Sequence, residues 1–422
     1  MRKLILSLVA APLMLGSFAT LSADEAKSTG INIFDSVKFS GEVRPRYEYA
    51  NQYKNGAESG NSFTTRTTLG VKAGLFNVDG FSTFLEATSV NNLGYTNYSD
   101  GLIPDPNNPG KKIGNDNYDL IVDPQQARMT QAYLDYKVDD TLLRVGRQMV
   151  NLDDQRFVGA VGWRQMFQTF DAVSVVNGSV DDLTLLASYV YGRNEVTEQT
   201  EAGDTGSMLL NAKYKVSKQL NVTAYGYLLA DIHDTYGLRL NGKVPVSKTI
   251  AINYDASYAT QQDASFDYDG VTNAKIDATY YNVAVGANIS GMIVGANYEV
   301  LGEANGASTK GFTTPLATLH KFQGFADVFL GRTGGSNNTG IVDANVKAGY
   351  KAKGFGKLIA WYHKFDDQGS ADLGSEIDAV YANKVPGVKG LNGLLKFAAY
   401  SKGDATSPQN TTRFWAQLDY KF

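Results

Sequence analysis

The chain has 422 residues, no cysteine, 43 glycines and 19% charged residues, with a formal net charge of −4. Without cysteine it has no disulfide framework, no thiolate catalysis and no thiolate-ligated metal site. A net charge near zero argues against a nucleic-acid-binding protein, which carries a basic excess. The mean hydropathy is −0.25. No segment after the N-terminus reaches the roughly 18 uninterrupted apolar residues of a spanning helix, which excludes a polytopic helical membrane protein.

The first residues have the order of a secretory signal peptide. Met1-Arg2-Lys3 is basic, residues 4–15 are largely apolar, and Ala23 is the small residue before a cleavage point. An N-terminal anchor helix is the alternative, but the apolar run is short for it. The sequence therefore predicts a signal peptide at 1–23 and an exported protein at 24–422.

A period of two dominates the exported part. Between residues 37 and 49, Val37, Phe39 and Val43 alternate with polar residues such as Glu42 and Arg44. Strict alternation places one set on each face of a β-strand. The same pattern returns at 208–216, 236–243, 250–258 and 413–422. No amphipathic helix longer than three turns competes with it, so the chain is predicted to be all-β.

Soluble sandwiches or propellers and membrane barrels are the architectures with many alternating strands. The strands here run for about ten residues, which suits a tilted membrane crossing. Aromatic residues such as Tyr47, Tyr258 and Tyr420 stand at strand ends, as in the interfacial girdles of barrels. The other face is densely charged, which suits a wet lumen and not a sandwich core. These features favour a transmembrane antiparallel β-barrel.

The turns give a strand count. Eight short Gly/Asp/Ser/Lys turns alternate with nine longer polar connections, which predicts short periplasmic turns, long extracellular loops and about 18 strands. The longer connections are 51–61, 91–124, 150–165, 194–205, 231–234, 261–275, 302–338, 367–373 and 403–410. The segment His320–Leu330 could be a nineteenth strand, but an odd number breaks the parity of bacterial barrels. We therefore assign it to a long outer loop.

Three blocks of sequence resemble the alginate-export porin family. They are Arg144–Gly159 with Trp163–Gln165 and Phe170-Asp171, then His320–Asp327, then Gly374–Asp378. The resemblance implies an 18-stranded outer-membrane barrel of a Gram-negative bacterium, with an arginine-lined lumen that passes anionic or polar solutes. It does not imply alginate itself. The terminal Phe422 also resembles the C-terminal signal that outer-membrane assembly machinery reads.

Arginine is unevenly distributed, with eight residues between positions 44 and 164. In a barrel they would form one positive wall that raises the local anion concentration. The alternative is that they pair with Glu42, Glu48, Asp135 or Asp171 and fill the lumen. The predicted pore-lining and selectivity residues are Arg44, Arg46, Arg66, Arg128, Arg144, Arg147, Asp153, Asp154, Arg156, Arg164, Glu42 and Asp135.

The connection Asn151–Gln165 mixes both charge signs with glycine and Trp163. Folded into the pore, it would place those charges across a constriction and limit the size of the solute. An extracellular cap is the other interpretation, and the sequence leaves both open. In the segment 91–124, clustered Asp and Asn side chains could bind Ca²⁺. Their spacing is not that of an EF-hand and such stretches are usually turns, so no metal and no cofactor is predicted.

The predicted function is passive diffusion of small polar, anionic solutes through the outer membrane. The alternatives are a non-conducting surface or adhesion barrel and an export channel for an anionic polysaccharide. A barrel enzyme would need a Ser-His-Asp or Ser-His-Asn constellation, and His233, His320 and His363 stand too far apart in sequence to form one locally. The predicted partners are the lipid bilayer, the solutes and the assembly machinery. A homotrimer and a monomer both remain open.

Overall fold

The computed structural model describes residues 33–52, 57–101, 117–197, 206–266, 275–306, 308–404 and 407–422. The predicted signal peptide, 1–23, lies outside these residues. The strands are β1 (Phe34–Asn51), β2 (Gly60–Leu75), β3 (Phe81–Asn97), β4 (Gln126–Val138), β5 (Thr141–Gln148), β6 (Thr169–Asn177), β7 (Leu183–Asn194), β8 (Ser207–Lys215), β9 (Asn221–Leu229), β10 (His233–Pro245), β11 (Ile250–Gln262), β12 (Asp277–Ile289), β13 (Met292–Leu301), β14 (Ile341–Ala352), β15 (Gly356–Asp366), β16 (Asp372–Lys384), β17 (Leu391–Ser401) and β18 (Thr411–Lys421).

The strands form one closed barrel. Each strand pairs antiparallel with the next, and β18 pairs with β1 from Glu42 opposite Lys421 to Asn51 opposite Thr412. Closure leaves no strand edge, so every ladder of backbone hydrogen bonds is satisfied within the sheet. The predicted fold, an antiparallel barrel of 18 strands, is confirmed.

The connections at one end of the barrel are turns of two to six residues, and most of those at the other end are longer, as the turn spacing predicts, although residues 230–232 between β9 and β10 form a turn of only three residues. Ser290 (φ 50°) and Gly291 (φ 93°) form the two-residue turn between β12 and β13, and this left-handed pair matches the twist of a hairpin. The segment His320–Leu330 contains no strand. It begins with one turn of 3₁₀-helix, Leu319–Lys321, and belongs to the connection between β13 and β14.

The two faces of each strand differ as the alternation predicts. On β1, Val37 and Phe39 are 50% and 64% exposed on the outer face, whereas Arg46 and Glu48 are fully buried on the inner face. An apolar outer band of this kind is what a lipid-facing barrel presents. Among the described residues, no helix is long and apolar enough to cross a membrane.

Two outer connections turn inward and fill part of the lumen. We call residues 149–168, between β5 and β6, inner loop 1, and residues 302–340, between β13 and β14, inner loop 2. Their apolar side chains form one buried cluster with inward-facing residues of the wall. The loop members of this cluster include Val150, Leu152, Val158, Phe312, Leu316 and Phe329. The barrel therefore has its core inside the lumen, made of loops and not of strands alone.

Candidate functional site

Inner loop 1 is bound to two separate parts of the wall. The Nε of Arg156 donates to Glu299 Oε1 on β13 (2.6 Å), and its Nη1 donates to Thr314 of inner loop 2 (3.0 Å). The Nη1 of Arg164 donates to both carboxylate oxygens of Glu48 on β1 (3.3 Å each). Arg156 and Arg164 are 1% and 4% exposed. The loop therefore lies inside the barrel, among inward-facing side chains.

Inner loop 2 is held against inner loop 1 and against β16. Asp327 accepts a hydrogen bond from Arg164 Nη2 (2.8 Å). The backbone N–H of Phe325 donates to Asp378 Oδ2 (3.0 Å), and that of Ala326 donates to Glu376 Oε1 (2.7 Å). The blocks 320–327 and 374–378, which are far apart in sequence, thus meet in one contact. The inward course of this segment, which was predicted to be an outer loop, was not predicted from the sequence, although its phenylalanines were a signal of burial.

Buried ion pairs connect the two inner loops to the wall. Glu48 accepts hydrogen bonds from Arg164 and from Arg413 Nη1 on β18 (3.1 Å). Burial alone would raise the pKa of Asp327, but the hydrogen bond from His320 and the positive charge of Arg164 outweigh it, and the pKa of Asp327 falls below its usual value. Burial would lower the pKa of Arg164, but Glu48 and Asp327 raise it. These charges therefore stay ionised and bind the loops tightly.

His320 lies at the junction of the two loops and is neutral. Its ring stacks on Trp163 of inner loop 1, with centroids 4.6 Å apart and an interplanar angle of 5°. Lys396 Nζ on β17 donates to Nε2 of His320 (2.6 Å), so Nδ1 carries the proton and donates to Asp327 (2.7 Å). Burial lowers the pKa of His320 to about 3.

Acidification is expected to destabilise the barrel through His320. An unfolded histidine has a pKa of about 6.5, so below that pH the unfolded chain binds a proton that the folded chain refuses. The contribution of His320 to the free energy of unfolding is therefore fully present above pH 6.5, and it is lost as the pH falls toward the folded pKa of about 3. At pH 5 the loss from this group is about 2 kcal/mol. Urea unfolding in detergent at pH 7 and pH 5 measures it, and His320→Gln should flatten the dependence. An equal pH dependence in the variant would contradict this assignment.

Three of the predicted arginines bind inner loop 1. Arg44 Nη1 donates to the carbonyl of Gly162 (2.9 Å), Arg66 Nη1 donates to the carbonyl of Arg164 (3.2 Å), and Arg46 lies 4.2 Å above the Trp163 ring. Their charges are also paired. Glu42 contacts both Arg44 and Arg66, and Asp123 lies 3.4 Å from Arg46. In this geometry the three guanidinium groups support the loop.

The two predicted arginines on β5 form separate ion pairs. Arg144 donates to both oxygens of Asp135 (2.7 and 2.9 Å), and Arg147 donates to both oxygens of Asp171 (2.8 and 3.0 Å). Arg128 differs, because it donates only to the backbone carbonyls of Phe167 and Glu195. Its Nε and Nη1 are buried with no partner in the described part of the chain. Arg128 is therefore the predicted arginine that no described carboxylate neutralises.

The two predicted aspartates of inner loop 1 lie on another side of the lumen. Asp154 contacts Arg239 on β10 (3.1 Å), and Asp153 accepts a hydrogen bond from Asn211 on β8 (2.9 Å). Residues 102–116 of the suggested calcium segment, 91–124, lie outside the described residues. Within the described ranges no three His, Asp or Glu side chains are grouped as metal ligands would be.

A polar cavity of about 520 Å³ lies between the inner loops and the wall of β10 to β15. Its lining includes Asp255, Glu299, Asp343 and Lys347 on the strands and Lys321 on inner loop 2. Burial lowers the pKa of Lys321, against the opposing effect of Asp154. Five strand asparagines also face this space, namely Asn241, Asn253, Asn282, Asn297 and Asn345. These asparagines are not among the pore-lining residues predicted from the sequence, which are all charged, although they occupy inward positions of the alternation.

The family model for alginate export matches residues 35–373. The chain belongs to the alginate export family. Its barrel is similar to that of OccK8 (OprE) from Pseudomonas aeruginosa, with a TM-score of 0.69 and 16% identity over 93% of this chain and 99% of that one. OccAB1 from Acinetobacter baumannii gives 0.71 and 13% over 94% and 99%. OpdK from P. aeruginosa, solved with vanillate, gives 0.68 and 13% over 93% and 100%.

No curated protein matches the chain. Family and fold together make this alginate export family member an outer-membrane β-barrel of the porin type and not an enzyme. At these identities the similar structures establish the fold alone. Which solutes pass has to be argued from the residues of this chain.

Proposed function

We propose that the protein is a passive diffusion channel for small polar solutes. The observation that carries this proposal is the cavity of about 520 Å³ that remains beside the two inner loops, along β10 to β15. Barrels with 16 to 18 strands are wide enough for an aqueous channel. Loops fixed by buried ion pairs narrow such a lumen without moving, so the size of the passage is set in advance.

The predicted preference for anions is part of this proposal, and we expect it to be weak. Support comes from the concentration of guanidinium groups on β1, β2, β4 and β5. Most of these guanidinium groups are paired with carboxylates, and a neutralised guanidinium adds little to the electric field in the lumen, so a strong preference for anions is not expected. Among the predicted arginines, Arg128 has no carboxylate partner in the described residues. Among the predicted arginines, the preference then depends chiefly on this side chain.

Planar-bilayer recordings of the purified protein test the channel itself. Steady single-channel conductance is the expected result. A silent protein would overturn the proposal and favour the adhesion barrel, whose lumen is blocked. Passage of a polysaccharide needs a continuous wide path. If long uronate chains block the current while uronate monomers pass freely, the protein is a small-solute channel and not an export channel.

Selectivity is expected to respond to Arg128 and not to a neutral pair. Under a tenfold KCl gradient, Arg128→Gln should move the reversal potential toward cation selectivity, because it removes a positive charge with no described counter-charge. The matched control is Arg144→Gln with Asp135→Asn, which removes a bidentate pair and leaves the net charge unchanged. Equal shifts in the two proteins would contradict the role given to Arg128.

The predicted selectivity role of inner loop 1 fails if Arg156→Ala and Arg164→Ala leave the reversal potential unchanged.

The remaining partners follow from the position of the barrel in the outer membrane. The lipid bilayer surrounds the apolar outer face. The C-terminal strand carries the predicted assembly signal, and the Phe422 carbonyl accepts a hydrogen bond from the N–H of Gly41 on β1 (3.0 Å). Loss of outer-membrane insertion on removal of Phe422 tests the signal. Light scattering in detergent decides between a monomer and a homotrimer.

A further inference from the structure

Free amide groups cover one wall of the cavity. Asn297 on β13 stands directly opposite Asn345 on β14, and Asn282 on β12 stands opposite Glu299. The full set is Asn241, Asn253, Asn282, Asn297 and Asn345. Each of the five side chains is half-buried, and none of them makes a hydrogen bond within the described chain. Polar groups confined in this way normally have a partner, which here is water or a solute.

The charged side chains of the same wall are already engaged. Arg239 donates to Asp255, Arg156 donates to Glu299, and His363 contacts Asp343 (2.9 Å). Lys347 and Lys321 are the exceptions, because no carboxylate of the described chain lies within 4.0 Å of either Nζ, and Lys321 donates to the backbone carbonyl of Asp154 (2.7 Å). Apart from these two lysines, the groups left for a solute are uncharged amides.

An apolar surface and open space complete the wall. Trp361 on β15 lines the cavity, and its ring packs edge-on against Phe325 of inner loop 2, with centroids 5.5 Å apart. Gly286 and Gly295 face each other across β12 and β13 on the same wall. A side chain at Gly295 would come within 2.8 Å of Lys347 Cε, so these glycines keep the space beside the amides clear.

We propose that this wall is a binding subsite for a small, uncharged, polyhydroxylated solute such as a monosaccharide or a polyol. A hydroxyl group both donates and accepts, and an amide side chain offers one group of each kind. The paired carboxylates can still accept from a hydroxyl, whereas they repel an anion. The Trp361 ring can cover the apolar C–H face of a sugar. This proposal rests on the proposed channel function, and it specifies the class of solute that the channel binds.

The test compares three pyranoses of similar size, D-glucose, D-glucuronate and D-glucosamine, which are neutral, anionic and cationic. Binding is measured by saturation-transfer NMR on the detergent-solubilised protein and by current block in bilayers. Glucose should bind and block most strongly. The double variant Asn297→Ala, Asn345→Ala should weaken glucose binding about tenfold, because it removes two neutral hydrogen-bonding groups. Asn288→Ala is the matched control, since Asn288 is on β12 but does not line the cavity.

The outcomes are separable. If glucuronate binds in preference to glucose, the site is an anion site and the proposal is overturned, and Lys347→Met and Lys321→Met then show which lysine holds the anion. Equal glucose binding by the wild type and the double variant also overturns it. If glucose binds as expected to a protein that carries no current, the channel function fails and the subsite stands.

Discussion

Replacing Arg164 with alanine is expected to lower the free energy of unfolding by about 3 to 5 kcal/mol. The guanidinium group holds Glu48 of β1 and Asp327 of inner loop 2, and both carboxylates are almost fully buried. Removal of the guanidinium group takes away positive charge and hydrogen bonds from both buried carboxylates, at a site that water does not reach. The backbone around residue 164 would also lose its attachment to the wall. Urea unfolding in detergent at pH 7 measures the loss, and single-channel current should become noisier as the loops move.

The matched control for this prediction is Arg144→Ala. Arg144 also makes a bidentate pair, but its side chain is 24% exposed and its partner Asp135 belongs to the wall. Its loss leaves one buried carboxylate without its partner in place of two, so it should cost about 2 kcal/mol, less than the loss of Arg164, and leave the current quiet. Similar losses in the two variants would show that burial between the loops is not what makes Arg164 important. The substitution Arg164→Lys should recover little, because one ammonium group does not reproduce a planar fork.

Excision of inner loop 1 is expected to raise the single-channel conductance several-fold. Gln148 at the end of β5 pairs with Phe170 on β6, so a short Gly/Ser turn can join the two strands in place of residues 150–168. The segment removed carries large buried side chains, among them Met166 and Phe167. A lumen of 18 strands without them would be wide and filled with water.

Excision of 198–205 between β7 and β8 is the control for chain shortening, because this variant keeps inner loop 1 and the Glu195 carbonyl to which Arg128 donates. Its conductance should stay near that of the wild type. If both shortened proteins conduct like the wild type, inner loop 1 does not limit the current. Where the first variant fails to insert, the double substitution Arg156→Met, Glu299→Gln loosens the same loop without shortening the chain, and it should also raise the conductance.

The barrel itself was predictable because its rules are local. Alternation along β1 placed Phe39 outside and Arg46 inside, and Ser290-Gly291 marked a two-residue turn. Each of these signals involves neighbouring residues, so no knowledge of distant contacts was needed. Parity then assigned His320–Leu330 to a loop, and the closed 18-stranded sheet agrees with that assignment.

The site was less predictable because its contacts are distant in sequence. The pairing of Arg164 with Glu48 joins residues 116 positions apart, and the pairing with Asp327 joins residues 163 positions apart. A list of arginines could not show that inner loop 1 covers the wall of β1 and β2. Nor could it show that the open space would lie beside β10 to β15 and its asparagines.

The sequence by itself determined the wall of this protein, since period-two alternation and turn chemistry specify strands, their faces and their number. It also supplied the family resemblance. Only the tertiary structure decided the interior. A long loop can cover the mouth of a barrel or enter its lumen, and entry is stable only if its buried charges pair with charges on distant segments. Arg156 pairs with Glu299, and Arg164 pairs with Glu48 and Asp327. The space beside the loops held in this way defines the proposed path.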